Sequence, residues 1–233
     1  MTATPEPHEK IEDLLCDGLK IIVHRDGFRY GTDSILLANY VRAGRGASVV
    51  ELCSGSGVVS ILLSAKTHAA RITGIEINES MAALANRSVV LNGIGERVGF
   101  ICGDVREIRG IMRAGSAGVV VANPPYLRRG SGTGSRGADV DIARREICCE
   151  LEDITAAGGW LLGQGGIFYI VYRPERLVDL FCAMRASGIE PKELQPAGAT
   201  AEKPPSLVLV QGKKGAAPGL RYMKQIVIGN HIQ

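Results

Sequence analysis

No stretch of this 233-residue sequence approaches the ~20 consecutive apolar residues that cross a bilayer, so a membrane-spanning helix is not expected. Residues 1–13 are polar and mixed in charge and lack the apolar core of a secretory signal, which makes the cytoplasm the expected location. The six cysteines, Cys16, Cys53, Cys102, Cys148, Cys149 and Cys182, form no C-x-x-C pair and have no histidines at zinc-ligand spacing. They read as small side chains in a reducing compartment, with no metal expected. No internal repeat is present. Net charge is only +3, which permits contact with nucleic acid without demanding it.

What is present is an alternation of short apolar strands and amphipathic helices, the pattern of a parallel sheet covered on both faces. The length suits one sizeable α/β domain, and the 30 glycines imply many turns. Near the N-terminus, 19–23 and 28–30 read as a hairpin around Arg25-Asp26-Gly27. Thr32 or Asp33 then caps a helix running to Val41. The core pattern runs strand 48–52, helix 58–65, strand 71–76, helix 79–92, strand 98–102, a helical turn at 105–112 and strand 118–122. Residues 127–140 are rich in Gly, Ser and Arg without periodicity, as in a functional loop. Helix 142–162, with a weak spot at Gly158-Gly159, leads to strand 167–172, helix 174–187 and late strands 190–194 and 206–211. Arginines 128, 129, 136, 144 and 145 gather in one stretch. Lys213, Lys214, Arg221 and Lys224 gather in another, and each group is either solvated surface or a phosphate contact.

The first core strand breaks into Cys53-Ser54-Gly55-Ser56-Gly57 and then a helix. Such a turn brings backbone close to a ligand, and the helix N-terminus offers unpaired N–H groups. The third glycine of a dinucleotide fingerprint is missing, which lowers a nicotinamide-dehydrogenase reading. Glu76 ends the second core strand, where an acid can accept from both ribose hydroxyls. Asp104 follows the third, where a carboxylate can accept from an adenine amine while Val105 or Ile77 packs on the ring. Capping of the next helix is the competing role for Asp104. Together these mark an adenosine-bearing ligand.

Asn123-Pro124-Pro125-Tyr126 closes the fourth core strand. Two prolines remove two backbone donors and fix two φ angles, leaving carbonyls with nothing to pair them. A planar amine brings two N–H donors, which the Asn123 side-chain oxygen and the Pro124 carbonyl can each accept. Tyr126 offers a stacking face for a base or an amide.

These residues carry a resemblance to class I S-adenosylmethionine-dependent methyltransferases with an Asn-Pro-Pro-Tyr motif, and more closely to the bacterial tRNA1(Val) adenine-37 N6-methyltransferase group. Further marks are Asp17-Gly18-Leu19-Lys20-Ile21, Gly27-Phe28-Arg29-Tyr30-Gly31-Thr32-Asp33-Ser34-Ile35-Leu36-Leu37-Ala38, Glu51-Leu52-Cys53-Ser54-Gly55-Ser56-Gly57, Ala143-Arg144-Arg145-Glu146 and Arg173-Pro174-Glu175-Arg176-Leu177. The resemblance implies a Rossmann-like α/β fold with a seven-stranded, mostly parallel sheet and an N-terminal hairpin and helix extension. One methyltransferase domain over 1–233 is expected, with 1–45 closing over the cofactor, 46–211 the catalytic core and 212–233 a basic C-terminal segment.

It also implies that S-adenosylmethionine is held by Tyr30, Gly31, Thr32, Glu51, Cys53, Ser54, Gly55, Gly57, Glu76, Ile77, Asp104, Val105 and Asn123. Asn123, Pro124, Pro125 and Tyr126 would present the target amine. Arg128, Arg129 and Arg136 would meet a structured RNA, with adenine N6 in tRNA the expected target. Cys53 stands where the family has the first glycine of its turn, and Arg144 or Arg145 where relatives often carry histidine. A glutamine amide in a protein, or guanine N2 in rRNA, are alternative acceptors. A non-catalytic module binding cofactor and RNA is the alternative outside enzymes, and the complete tetrapeptide argues against it.

Overall fold

The computed structural model describes residues 4–25, 30–125 and 149–230. In chain order, strands β1 (Glu9–Asp13) and β2 (Lys20–His24) precede helix α1 (Thr32–Tyr40). Then come β3 (Ser48–Leu52), α2 (Val58–Lys66), β4 (Arg71–Glu76), α3 (Glu79–Leu91) and β5 (Val98–Cys102). A 3-10 turn (Val105–Glu107) runs into α4 (Ile108–Ile111), and β6 (Ala117–Ala122) follows. The later part holds α5 (Leu151–Leu161), β7 (Leu162–Tyr172), α6 (Leu177–Ala186), β8 (Ile189–Gly198), β9 (Leu207–Lys214), β10 (Arg221–Tyr222) and β11 (Ile226–Val227).

One sheet of nine strands carries the order β10-β8-β9-β7-β6-β3-β4-β5, with β11 also on β8. β5, β4, β3, β6 and β7 are parallel neighbours, while β9 runs antiparallel between β7 and β8. The seven strands β3 to β9 are the expected sheet with its late pair at one edge. β10 and β11 add to that edge, pairing at Glu193–Leu194 and Ala197–Gly198. Pro196 stands between the two short ladders and has no N–H to join them.

Alternation along the strands builds two cores. Val49, Val119, Val121, Tyr169, Val171 and Leu209 pack under α1, α2 and α3 on one face. Val50, Leu52, Val120, Ala122, Phe168, Ile170 and Val210 pack under α4, α5 and α6 on the other. Each buried Leu or Ile in this pattern contributes on the order of 1.5–3 kcal/mol. Gly158 and Gly159, expected to weaken their helix, lie inside α5 because the packing needs their smallness. A β-carbon at Gly158 would sit 2.7 Å from the Phe168 ring, and one at Gly159 2.5 Å from the Ser187 carbonyl oxygen.

Three local expectations need correction. The partner of β2 is β1, from Glu9↔His24 to Asp13↔Lys20. The expected second strand at 28–30 falls largely outside the described residues, and Tyr30 is not in a strand. The sequence EKIED conceals its strand because its buried residue is a charge. Glu9 is 3% exposed, and both its oxygens accept from Arg87 of α3, at 2.7 and 2.8 Å. Side chains of α3 also complete the outer edge of β2. Asn92 accepts from Lys20 N at 2.8 Å and donates to Lys20 O at 2.6 Å, and Ser88 Oγ accepts from Ile22 N at 2.9 Å.

The second correction concerns α1, whose N-cap is Gly31; Thr32 and Asp33 lie within the helix. Asp33 accepts from Ser34 N at 2.8 Å, and a β-carbon at Gly31 would crowd its carboxylate oxygen at 2.7 Å. Third, Lys213, Lys214, Arg221 and Lys224 are not one free basic patch. Lys214 Nζ donates to the Gly159 and Leu162 carbonyls at the end of α5, and Arg221 pairs with Glu193. The expected loop 127–140, and helix 142–162 before Cys149, lie outside the described residues.

Candidate active site

The parallel strands β3, β4, β5 and β6 end on the same side of the sheet, and the turns there form the crevice in which open α/β sheets bind ligands. After β3 the chain turns through three left-handed residues, Cys53 (φ 57°), Gly55 (φ 54°) and Gly57 (φ 82°). Gly57 is the N-cap of α2, and a β-carbon there would stand 2.3 Å from the Phe100 ring. Phe100 also fills the space beside Gly74, where a β-carbon would meet it at 2.2 Å. The turn is thus held from below by an aromatic ring. At Gly55 a β-carbon would meet nothing within 4 Å, so this part of the turn borders open space.

Two acids brace the turn from opposite sides. Glu76, 6% exposed at the tip of β4, accepts from Gly55 N at 2.7 Å and from Asn78 N at 2.9 Å. Glu51, 1% exposed in β3, accepts from Ser60 N at 2.9 Å and also from Ser60 Oγ. Burial pushes the Glu51 carboxyl up to about 8, against the lowering effect of both Ser60 bonds and with a further push from the charge on Glu76. Glu51 therefore ties β3 to α2 with its carboxyl turned to Ser60. Ser54 likewise turns its hydroxyl inward: the oxygen is buried without a hydrogen-bond partner among the described residues. It stands 2.9 Å from where a β-carbon of Gly74 would be.

Asp104 follows β5 and takes the capping role weighed for it. Its carboxylate caps the 3-10 turn by accepting from Arg106 N at 2.9 Å, and it also pairs with the Arg106 guanidinium. That guanidinium holds the Asp104 carboxyl below the usual range, so it remains an acceptor near neutrality. Ile77, just beyond β4, is half-buried, and Val105, next to Asp104, is buried.

Asn123 leaves the end of β6, the strand paired to β3 from Val49↔Val119 to Leu52↔Ala122. Its Nδ2 donates to Ser34 Oγ at 2.9 Å, linking it to the first turn of α1. Ser34 is 5% exposed and was not singled out by the sequence, although it lies within the resembling stretch that contains Tyr30, Gly31 and Thr32. Tyr30 packs on the α1–α3 core, and burial raises its phenol, aided by the charges of Glu12 and Asp13. Pro124 is buried and Pro125 exposed, whereas Tyr126, Arg128, Arg129 and Arg136 lie outside the described residues.

Comparison with known proteins places this geometry. Residues 49–128, from the turn-bearing strand to just beyond the Asn-Pro-Pro segment, match the methyltransferase domain family. Over these residues the chain is similar to a methyltransferase domain, and its fold is that of methyltransferases of known structure.

Of the solved structures similar to this chain, a predicted O-methyltransferase from Agrobacterium tumefaciens superposes with a TM-score of 0.68 at 20% identity. That match covers 84% of this chain and 86% of the other. The tRNA1(Val) (adenine(37)-N6)-methyltransferase of Porphyromonas gingivalis is 25% identical over 158 residues, 65% of this chain and 61% of that protein. A 4-amino-L-phenylalanine/4-methylamino-L-phenylalanine methyltransferase of Streptomyces pristinaespiralis is 30% identical over 146 residues, 60% and 48% of the two chains. The match thus spans about three-fifths or less of these curated relatives' length.

S-adenosylmethionine is the cofactor that similarity to a methyltransferase domain implies, and the residues present fit it. The turn is open at Gly55, a buried carboxylate stands at the tip of β4, and an ionised aspartate follows β5.

Proposed function

We propose that this methyltransferase transfers a methyl group to an exocyclic amine of a nucleobase, adenine N6 in a tRNA. The observation that carries the reading is the Asn123 side chain, set at the end of β6 beside the glycine turn and anchored through its nitrogen to Ser34. Donation from Nδ2 to Ser34 fixes the plane of the amide, and Oδ1 is the atom of that amide that would accept from the amine. Pro124 and Pro125 remove the backbone donors that would otherwise compete for acceptors at this point. An amine donating one N–H to Asn123 Oδ1 and one to the Pro124 carbonyl has its lone pair drawn out of conjugation and aimed along the third direction.

S-adenosylmethionine supplies a methyl group already activated on a positive sulfonium. Glu76 would accept from the ribose hydroxyls, and Asp104 from the adenine amine, with Ile77 and Val105 against the ring. The Tyr30-Gly31-Thr32 segment would close the methionine end. Glu51 and Ser54 act on the cofactor through the turn they shape, since both side chains face inward. No side chain has to remove a proton before transfer, because the methylated nitrogen becomes acidic only afterwards and can lose its proton to water.

Support for an amine on an aromatic ring comes from the relatives' names. Adenine N6 and the 4-amino group of aminophenylalanine are both amines conjugated to a ring. For tRNA in particular, support comes from the tRNA-methylating relative and from the arginines at 128, 129 and 136, which we assign to phosphate contact. Calorimetry with S-adenosylhomocysteine and with NAD tests the cofactor assignment. Binding of the first alone is expected, and binding of NAD alone would overturn it.

A further inference from the structure

The outer edge of the sheet carries an irregularity that the methyl-transfer chemistry does not use. Tyr222 lies opposite Leu194 of β8, and Ile226 lies opposite Ala197. Met223, Lys224 and Gln225 therefore face only Gln195 and Pro196, so one extra residue has to bow out of the edge. Met223 N still donates to Leu194 O at 2.8 Å, which puts the bow at Lys224 and Gln225. Two side-chain amides hold it in place. Gln195 Nε2 donates to Lys224 O at 3.2 Å, and Gln225 Nε2 donates to Thr200 O at 2.9 Å.

The bow and the end of α1 enclose a cavity of about 490 Å³, within the ~300–1,000 Å³ of small-ligand sites. Asn39, Tyr40 and Arg42 line it from the α1 side, and Gln195, Lys224 and Ile226 from the sheet edge. Its charge is of one sign, since no carboxylate lines it among the described residues. Lys224 is exposed, and its ammonium has no partner among the described residues. Arg42 gives Nη1 to the Asn39 and Val41 carbonyls at 2.6 and 3.0 Å, which offsets the negative end of α1. Glu193, a carboxylate whose charge reaches Tyr40, is held by Arg221.

We propose that this cavity is a second RNA subsite, holding one nucleotide of the substrate a few positions from the methylated base. Lys224 and Arg42 meet its phosphate, and Tyr40 and Ile226 form an apolar wall for its base. The Asn39 amide and Gln195 Oε1 serve the polar edge of that base. Helix α1 joins the subsite to the reacting centre. Ser34 in its first turn holds Asn123, whereas Leu36, Asn39 and Tyr40 stand about 120–160° around the helix from Ser34. A strand with one base at Asn123 thus crosses α1, ~10–12 Å wide, to place a neighbouring nucleotide in the cavity. The subsite rests on the proposal that RNA is the substrate.

The test uses the full chain and total tRNA, with binding read separately from methyl transfer. Lys224→Ala should weaken RNA affinity about tenfold, as for loss of one charged hydrogen bond, and raise KM for tRNA. It should also reduce the slope of log affinity against log salt by about 1. Lys66→Ala, at an exposed lysine in the last turn of α2, should change neither quantity. Ultraviolet irradiation of the wild-type complex should cross-link RNA to the peptides carrying Tyr40 or residues 224–227. Equal losses from Lys66→Ala and Lys224→Ala, or cross-links confined to other peptides, would overturn the subsite. Calorimetry with adenosine monophosphate separates a free nucleotide from one in a chain. Binding that Lys224→Ala abolishes, with RNA affinity unchanged, would assign the cavity to the free nucleotide and overturn the RNA subsite. Methylation of another acceptor would overturn the proposed function, while the cross-link map still decides the subsite. Absence of RNA binding by the wild-type protein would overturn both.

Discussion

Replacing Ser34 by alanine removes one oxygen, and the account predicts where that loss is felt. Ser34 Oγ accepts from Asn123 Nδ2 at 2.9 Å, and the serine is 5% exposed in the first turn of α1. One such hydrogen bond contributes about 0.5–1.5 kcal/mol net. If the bond serves to aim the Asn123 oxygen at the amine, the loss appears in the transition state. It then lowers kcat about 2- to 13-fold. Removing the acceptor itself, in Asn123→Ala, should cost far more, on the order of 10²–10³ as for other positioned polar groups at a reacting centre. Single-turnover methyl transfer at saturating cofactor and tRNA measures the first effect. S-adenosylhomocysteine calorimetry and circular dichroism on the same protein should show cofactor affinity and fold unchanged. A folded Ser34→Ala protein with the wild-type single-turnover rate would refute the positioning role. So would a loss confined to cofactor affinity.

Glu51 makes stability fall with rising pH. Its folded pKa, about 8, lies above the ordinary carboxylate value, so its contribution is fully present below about 4.5. That contribution is lost as pH rises through 8; Glu51→Gln should escape this loss, and its advantage over wild type in urea titrations should grow by a few kcal/mol, as an order of magnitude, between pH 5 and 8. Parallel curves for the two proteins would contradict the burial argument. Gly57→Ala should lower stability by about 2–3 kcal/mol, since it combines a left-handed φ with a 2.3 Å approach to the Phe100 ring. Adding Phe100→Leu should recover part of that loss in thermal melts, and no recovery would show that the ring is not the obstacle. Substituting Arg128, Arg129 and Arg136 together by alanine should reduce the slope of log RNA affinity against log salt by about 2–3. An unchanged slope would remove these arginines from the RNA interface.

The sheet was legible in the sequence because its strands are buried on both faces or alternate cleanly between two cores, as β3 and β6 do. The glycine turn and Glu76 were legible from their spacing, since a strand-end acid about twenty residues after the turn has one place to go in this topology. β1 was not legible: its only buried residue is Glu9, whose countercharge Arg87 stands 78 positions away. The cap of α1 was misassigned because Thr32 and Asp33 are both good capping residues, and the choice of Gly31 depends on room for the Asp33 carboxylate. Ser34 acquires meaning only through a long-range contact, to Asn123, which no local pattern encodes. The inward turn of the Ser54 hydroxyl is likewise a matter of packing against Gly74.

The most direct test of the central claim is the nucleoside product. Total tRNA is incubated with labelled S-adenosylmethionine and either the wild-type protein or Asn123→Ala, digested, and analysed by mass spectrometry. The account predicts labelled N6-methyladenosine with the wild-type protein and a loss on the order of 10²-fold or more with the variant. Label on protein or on another nucleoside, or equal N6-methyladenosine from both proteins, would contradict it.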